Sequence, residues 1–234
     1  MNQIISQHGW GLDSSFWKYL KNQFILNNWL WQDNERGYFF SNVQNSQWAK
    51  KETKNFLKVV ICHSLGIHLI EKELIASASH AVLINSFCNF IPNNMHKELT
   101  IKSLQRMEKK MDSYESIEML KEFLHRSFLP NNINKNFLEK YIPKLQNINT
   151  PILKNDFKKL YFEGEFNKLF SKNCSILIIK SKNDHILRES SANNLIRILN
   201  KTQIKKPKVV ELTNQGHIID NLDIFKIIAD WTTD

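Results

Sequence analysis

Short unbroken apolar runs mark the first and last thirds of this chain, and between them apolar residues recur instead at steps of three and four. Runs of this kind predict strands buried on both faces. They fall at 2–7, 29–31, 57–62, 81–85, 175–179 and 209–212. Between them the spacing turns helical. Asp13 can cap a helix carrying Phe16, Trp17, Leu20 and Phe24, and further helices are expected at 47–55, from Ser64 to about Glu73, at 191–200 and at 222–231. From about Phe90 to Gly164 only the helical pattern remains, in the series Ile101, Leu104, Met107, Met111; Ile117, Leu120, Leu124, Phe128; Phe137, Tyr141, Leu145; and Leu153, Phe157, Leu160. Pro92, Pro130, Pro143 and Pro151 cut that stretch into separate helices. Strands alternating with helices through right-handed crossovers imply an α/β fold with a mostly parallel sheet. Residues 1–89 and 165–234 then form its core, and 90–164 an all-helical insertion.

Composition limits what such a fold can be doing. At 234 residues and 42% hydrophobic, the chain can bury one full core. It has no run of 18 apolar residues and no charged-then-apolar leader, so neither a membrane span nor a secretion signal is expected. Cys62, Cys88 and Cys174 are an odd number without CxxC spacing, which reads as reduced packing residues, no metal site and a cytoplasmic location. The net charge of +9 arises from lysines spread among asparagines and isoleucines, without an aromatic-basic motif, zinc finger or basic arm. Most of it reads as a solvated face, and no nucleic-acid partner is expected.

The chemistry begins where the third strand ends. Leu57-Lys58-Val59-Val60-Ile61-Cys62-His63-Ser64-Leu65-Gly66 has the form of a strand running into a nucleophile elbow, in which the serine hydroxyl projects above the sheet and the Leu65 amide helps form an oxyanion hole. The usual pattern is GxSxG, and here Cys62 stands in the place of the first glycine, giving up that residue's freedom at positive φ. Open α/β sheets place their sites at the carboxyl ends of the strands. After the other strands come His8-Gly9-Trp10-Gly11, Asp184 and His217. A hydroxyl needs a base to take its proton, and that imidazole needs a carboxylate to hold its tautomer, so Ser64, Asp184 and His217 supply the three required types. The Trp10 amide is placed to complete the oxyanion hole, with glycines on either side that let the backbone turn toward the substrate. His63 and His68 flank the elbow and read as packing or supporting residues.

Taken together, the HGWG near the N-terminus, Asp33-x-x-Arg36-Gly37, the elbow at Ser64, a four-helix lid, then Asp184 and Gly216-His217 in the order Ser, Asp, His resemble the α/β-hydrolase superfamily over essentially the whole chain. Within it, His8-Gly9-Trp10-Gly11-Leu12 followed by Phe16-Trp17, and Ile84-Asn85-Ser86-Phe87 before the lid, are similar to the pimeloyl-[acyl-carrier protein] methyl ester esterases of biotin synthesis. The first two strands of the usual sheet are missing here.

The resemblance implies a serine carboxylesterase, without a cofactor, that cleaves a small alkyl ester such as the methyl ester of pimeloyl-acyl carrier protein. It also implies an acidic acyl carrier protein as partner. Residues 90–164 hold thirteen Lys or Arg against nine Asp or Glu, and Arg106, Lys109, Lys110, Lys121 and Arg126, on the polar faces of the first two lid helices, are the candidate contacts. Other members of the superfamily, a carbon-carbon hydrolase or a menaquinone-pathway lyase, would use the same three residues. A non-catalytic interaction protein on a hydrolase fold is the reading from another class, motivated by Cys62 and the missing strands.

Overall fold

The computed structural model describes residues 1–233 apart from 40–41, 50–55, 134, 163–165 and 220–222. Six strands form one sheet in which every neighbouring pair is parallel: β1 (Gln3–Gln7), β2 (Leu30–Asn34), β3 (Lys58–His63), β4 (His80–Ile84), β5 (Ser175–Ser181) and β6 (Lys208–Leu212). All six lie where the apolar runs predict them. Their order is β2-β1-β3-β4-β5-β6, so the chain leaves β1 to one side for β2 and builds the rest on the other. The loops after β1 and β3 therefore diverge at a topological switch point, where open α/β sheets leave a crevice beyond their strand ends.

Strand side chains alternate between two separate apolar layers. Ile5, Val60, Cys62, Ala81, Leu83, Ile176 and Ile178 face one way, onto Leu74 and Ile75 of α2 (Lys72–Ala76) and Leu195 and Leu199 of α7 (Glu189–Thr202). Ile4, Val59, Ile61, Val82, Ile84, Leu177 and Ile179 face the other, onto Leu20 and Phe24 of α1 (Lys18–Leu26) and Ile224, Ile228 and Trp231 of α8 (Asp223–Thr233). Burial of one such Leu or Ile side chain contributes roughly 1.5–3 kcal/mol, which is why a period of two along runs apolar at every position specifies a sheet covered on both sides.

Between β4 and β5 the described residues contain helices only: α3 (Lys97–Met111), α4 (Ser116–Phe128), α5 (Lys135–Tyr141) and α6 (Thr150–Phe157), with 3₁₀ turns at Pro143–Asn147, Lys158–Tyr161 and Phe166–Lys168. Their apolar stripes meet in a third core with Trp10, Leu12, Tyr38 and Leu65, so the insertion packs over the carboxyl end of the sheet. The change from runs to steps of three and four falls where these helices begin, and the expected end of the insertion at 164–165 lies outside the described residues.

Three local expectations change. The helix after Ser64 is a 3₁₀ turn (Ser64–His68) separated from α2, because Glu71 takes an extended conformation (φ −62°, ψ 134°) that no helix passes through. Gln47–Ala49 is not helical: the Gln3 side chain accepts from the Ala49 amide (2.9 Å) and donates to its carbonyl (3.4 Å), holding the segment beside β1. The rest of that expected helix, 50–55, and the start of the last one at Leu222 lie outside the described residues. Asp33, beyond the strand expected at 29–31, lies within β2, where it accepts from Ser6 (2.8 Å), Trp31 (2.6 Å) and Lys21 (2.6 Å). Among the described residues no helix is long and apolar enough to cross a membrane.

Candidate active site

At the end of β3 the chain turns sharply at Ser64, which sits at φ +53°. A non-glycine residue held there is strained, and the strain persists only where the surroundings determine it. The next 3₁₀ turn crosses the end of β1 so closely that a Cβ on Gly66 would come within 2.5 Å of the Gln7 carbonyl oxygen. Cys62, by contrast, is an ordinary strand residue that pairs with Gln7 and Leu83 and packs into one apolar layer. The positive φ falls on the serine, so the residue two places before it needs no glycine.

The three chemically paired residues converge. His217 Nδ1–H donates to Asp184 Oδ2 (2.7 Å), and the Ser64 hydroxyl donates to His217 Nε2 (2.8 Å). Asp184 cannot swing, because its other oxygen accepts the amides of Ile186 and Leu187, both at 2.8 Å. The main chain of His217 is held as firmly. Its carbonyl accepts from His63 Nε2–H (2.9 Å) and from the Asn85 side-chain amide (2.8 Å). Asn85, buried at φ +43° just after β4, also donates to the Gly216 carbonyl (3.2 Å) and to Ser181 Oγ (3.0 Å), and accepts from the Ser181 amide (2.8 Å). One asparagine thus ties the loop carrying His217 to the end of β5. The sequence offers Asn85 only as part of a family-like string, and its role comes from contacts made across more than ninety residues.

The neighbouring histidines do not reach the Ser64 hydroxyl. His63 packs its ring on those of His217 (5.1 Å) and Phe16 (4.9 Å), and burial, reinforced by the proximity of His217, pushes its pKa down to about 3. His68 donates to the Phe87 carbonyl (2.9 Å), and burial takes it down to about 4. Both rings are neutral supports near neutral pH.

Opposite the elbow lies the loop after β1. Among the described residues the Trp10 amide has no acceptor, and the Leu65 amide belongs to the first turn of a helix, where main-chain N–H groups have no partner within it. Two such donors beside a hydroxyl are what a developing oxyanion requires. The Trp10 side chain is anchored separately, its indole donating to the Leu153 carbonyl (2.8 Å) and its ring packed edge-on against Phe123.

Ser64 opens into a cavity of about 430 Å³, walled by Trp10, Leu104, Met107, Phe123, Phe157 and Leu187. The five basic residues expected on the outer faces of the insertion divide here. Arg106, Lys110 and Arg126 line this cavity, whereas Lys109 and Lys121 are not among its walls, and Lys121 pairs with Glu118 (3.2 Å). Helical periodicity identifies a polar face but not what that face looks upon.

Ion pairs tie the insertion to the strand ends. Arg36 grips Asp156 of α6 through two hydrogen bonds of 2.8 Å, and Tyr38 donates to the same carboxylate (2.8 Å), which is fully buried. Asp13 receives Tyr141 (2.9 Å) and Lys144. Behind His217, the Ile218 amide donates to the Ser127 carbonyl at the end of α4 (2.8 Å), and a Cβ on Gly216 would collide with the carbonyl oxygens of Ser127, Phe128 and Leu129.

Among the described residues no cluster of His, Cys, Asp or Glu is arranged to hold a metal ion. The three cysteines are buried free thiols, raised by burial, Cys88 and Cys174 to about 12. Neither nucleophilic nor metal-binding chemistry suits them.

No family model matches the sequence, and no curated protein is detectably similar to it. Solved structures are similar. A bromoperoxidase from Bacillus anthracis matches with a TM-score of 0.74 at 14% identity, and an esterase from Exiguobacterium antarcticum with 0.73 at 13%. An enol-lactonase from Burkholderia xenovorans matches with 0.62 at 16%. Each match covers 100% of this chain and 92% of the other. With the parallel sheet, the strained serine after β3 and the helices over the strand ends, this likeness shows that the chain has the α/β-hydrolase fold.

Proposed function

We propose that this protein is a serine carboxylesterase. The observation that carries the reading is the unbroken hydrogen-bond chain from Asp184 through His217 to a strained Ser64 that lines a cavity. With Nδ1–H given to Asp184, His217 Nε2 is the lone pair that takes the Ser64 proton as Oγ attacks the ester carbonyl. The carbonyl oxygen becomes an anion facing the Trp10 and Leu65 amides. His217 then hands the proton to the leaving alkoxide, and the alcohol departs from an acyl-Ser64. Water attacks that acyl group, its proton passes to His217, and the acid leaves as Ser64 recovers its hydrogen. No cofactor is needed for these steps.

The physiological substrate we propose from the family resemblance is a methyl ester on a pimeloyl chain presented by an acyl carrier protein, with residues 90–164 as the lid that receives it. Its support is the basic surplus of the insertion. Reaction with a fluorophosphonate probe and mapping of the labelled peptide tests the chemistry. Labelling at Ser64 is expected, and a protein that stays unlabelled while folded is no serine hydrolase. Rescue of a biotin auxotroph lacking its own esterase tests the substrate.

A further inference from the structure

The cavity walls combine two kinds of surface. Leu104, Met107, Phe123 and Leu160 make them apolar, yet four cationic side chains also line the space: Arg106 and Lys110 one turn apart on α3, Arg126 on α4, and Arg188 at the start of α7. Glu122 is the only acidic lining residue apart from Asp184, which His217 already engages. Among the described residues Arg106, Arg126 and Arg188 form no ion pair, and Lys110 alone has a partner, Glu115 at 3.3 Å on the rim. Arg106, Arg126 and Arg188 are exposed and Lys110 is half-buried, so these cations from three elements gather at the mouth of the cavity and give it a positive potential.

Resting on the esterase reading, we infer that the substrate itself carries an anionic group, a carboxylate or a phosphate, joined to the reacting ester by an apolar spacer. The spacer lies along Leu104, Met107 and Phe123, and the anion is met by the guanidinium groups of Arg106 and Arg126. Guanidinium groups bind planar carboxylates and phosphates through paired, charge-assisted hydrogen bonds, and a lysine cannot reproduce that geometry. This locates recognition on the small molecule that enters the cavity, a different place from the outer surface of a carrier.

A matched pair of chromogenic esters tests this: 4-nitrophenyl hydrogen suberate, which ends in a carboxylate, and 4-nitrophenyl octanoate, which does not. In the wild type, kcat/KM for the anionic ester is expected to exceed that for the neutral one by roughly tenfold or more, since a hydrogen bond to a charged group counts for about that much. In the Arg106→Gln, Arg126→Gln double variant the ratio falls toward one. The ratio is taken within each variant, so partial misfolding cancels. Lys72→Gln with Lys201→Gln removes equal charge from exposed positions on α2 and α7 and retains the preference. Octyl phosphate and suberate as competitive inhibitors separate the two anions: the tighter one names the group, and weak inhibition by both, no better than by octanol, overturns the proposal. Equal turnover of the two esters by the wild type, or a preference that survives in the double variant, overturns it while leaving the esterase reading intact. If neither ester turns over and no fluorophosphonate label is taken up, the esterase reading falls and this inference with it.

Discussion

His63 Nε2–H lies 2.9 Å from the carbonyl oxygen of His217, so the residue immediately before Ser64 holds the main chain of the histidine to which the Ser64 hydroxyl is bonded. Asn85 holds the same oxygen from the other side at 2.8 Å. Removing the Asn85 amide by Asn85→Ala loosens the loop at Gly216 and His217, taking the donor from the buried Gly216 carbonyl and leaving the His217 carbonyl to His63 alone. A loss of about 1–3 kcal/mol of positioning is expected, read as a fall in kcat of roughly tenfold to a hundredfold with KM little changed. Asn85→Asp should be worse than Asn85→Ala, because it points a buried carboxylate at three oxygens. Equal kinetics for both variants and the wild type would remove Asn85 from the site.

Ser64 is both strained and essential in this scheme, and glycine separates the two properties. Ser64→Ala should lower ester hydrolysis by about 10⁴- to 10⁶-fold. Ser64→Gly should be equally inactive yet more stable than Ser64→Ala by about 1 kcal/mol, because glycine adopts φ +53° without strain. Denaturant midpoints of the two variants measure this difference, and identical midpoints would argue that the turn costs nothing.

Restoring the missing elbow glycine should harm the protein. Cys62 fills one layer of the core from inside β3, so Cys62→Gly leaves a void and loosens a central strand. We expect a loss of about 2–3 kcal/mol with no gain in kcat. A variant as stable as the wild type would show the thiol to be dispensable packing.

Acid should unfold this protein partly through its neutral histidines. His63 and His68 titrate in the folded state at about 3 and about 4, below the value of 6.5 they have when free. Below pH 6.5 the unfolded chain therefore binds protons that the folded chain refuses, and stability falls as pH falls until the folded values are reached. Each ring contributes a slope of roughly 1.4 kcal/mol per pH unit in that window. His68→Gln can keep a donor to the Phe87 carbonyl without titrating, so it should flatten the pH dependence of the urea midpoint between pH 6.5 and 4. An unchanged slope would show that His68 is protonated in the folded protein.

Much of this architecture was legible from residue order. Apolar runs located six strands, and the segments just beyond the carboxyl ends of three of them hold Ser64, Asp184 and His217. Those segments meet because a parallel sheet gathers its strand ends at one edge. What escaped depends on contacts between distant segments. Nothing local to Asn85 reveals that it bonds to residues 181, 216 and 217. The break between His68 and Lys72 and the non-helical Gln47–Ala49 arise where tertiary partners overrule spacing. Arg106, Lys110 and Arg126 are plainly polar positions on amphipathic helices, but only the packed structure shows that this polar face borders the cavity.

The seam at Gly216 has a mechanical meaning. Because its α-carbon presses on the last carbonyls of α4, and Ile218 is bonded there as well, that end of the insertion cannot lift without dragging His217 away from Ser64. The α4 end therefore acts as a fixed jamb beside the cavity. In the proposed scheme, a side chain forced in at position 216 should disable turnover from behind His217, without touching any atom that the substrate meets.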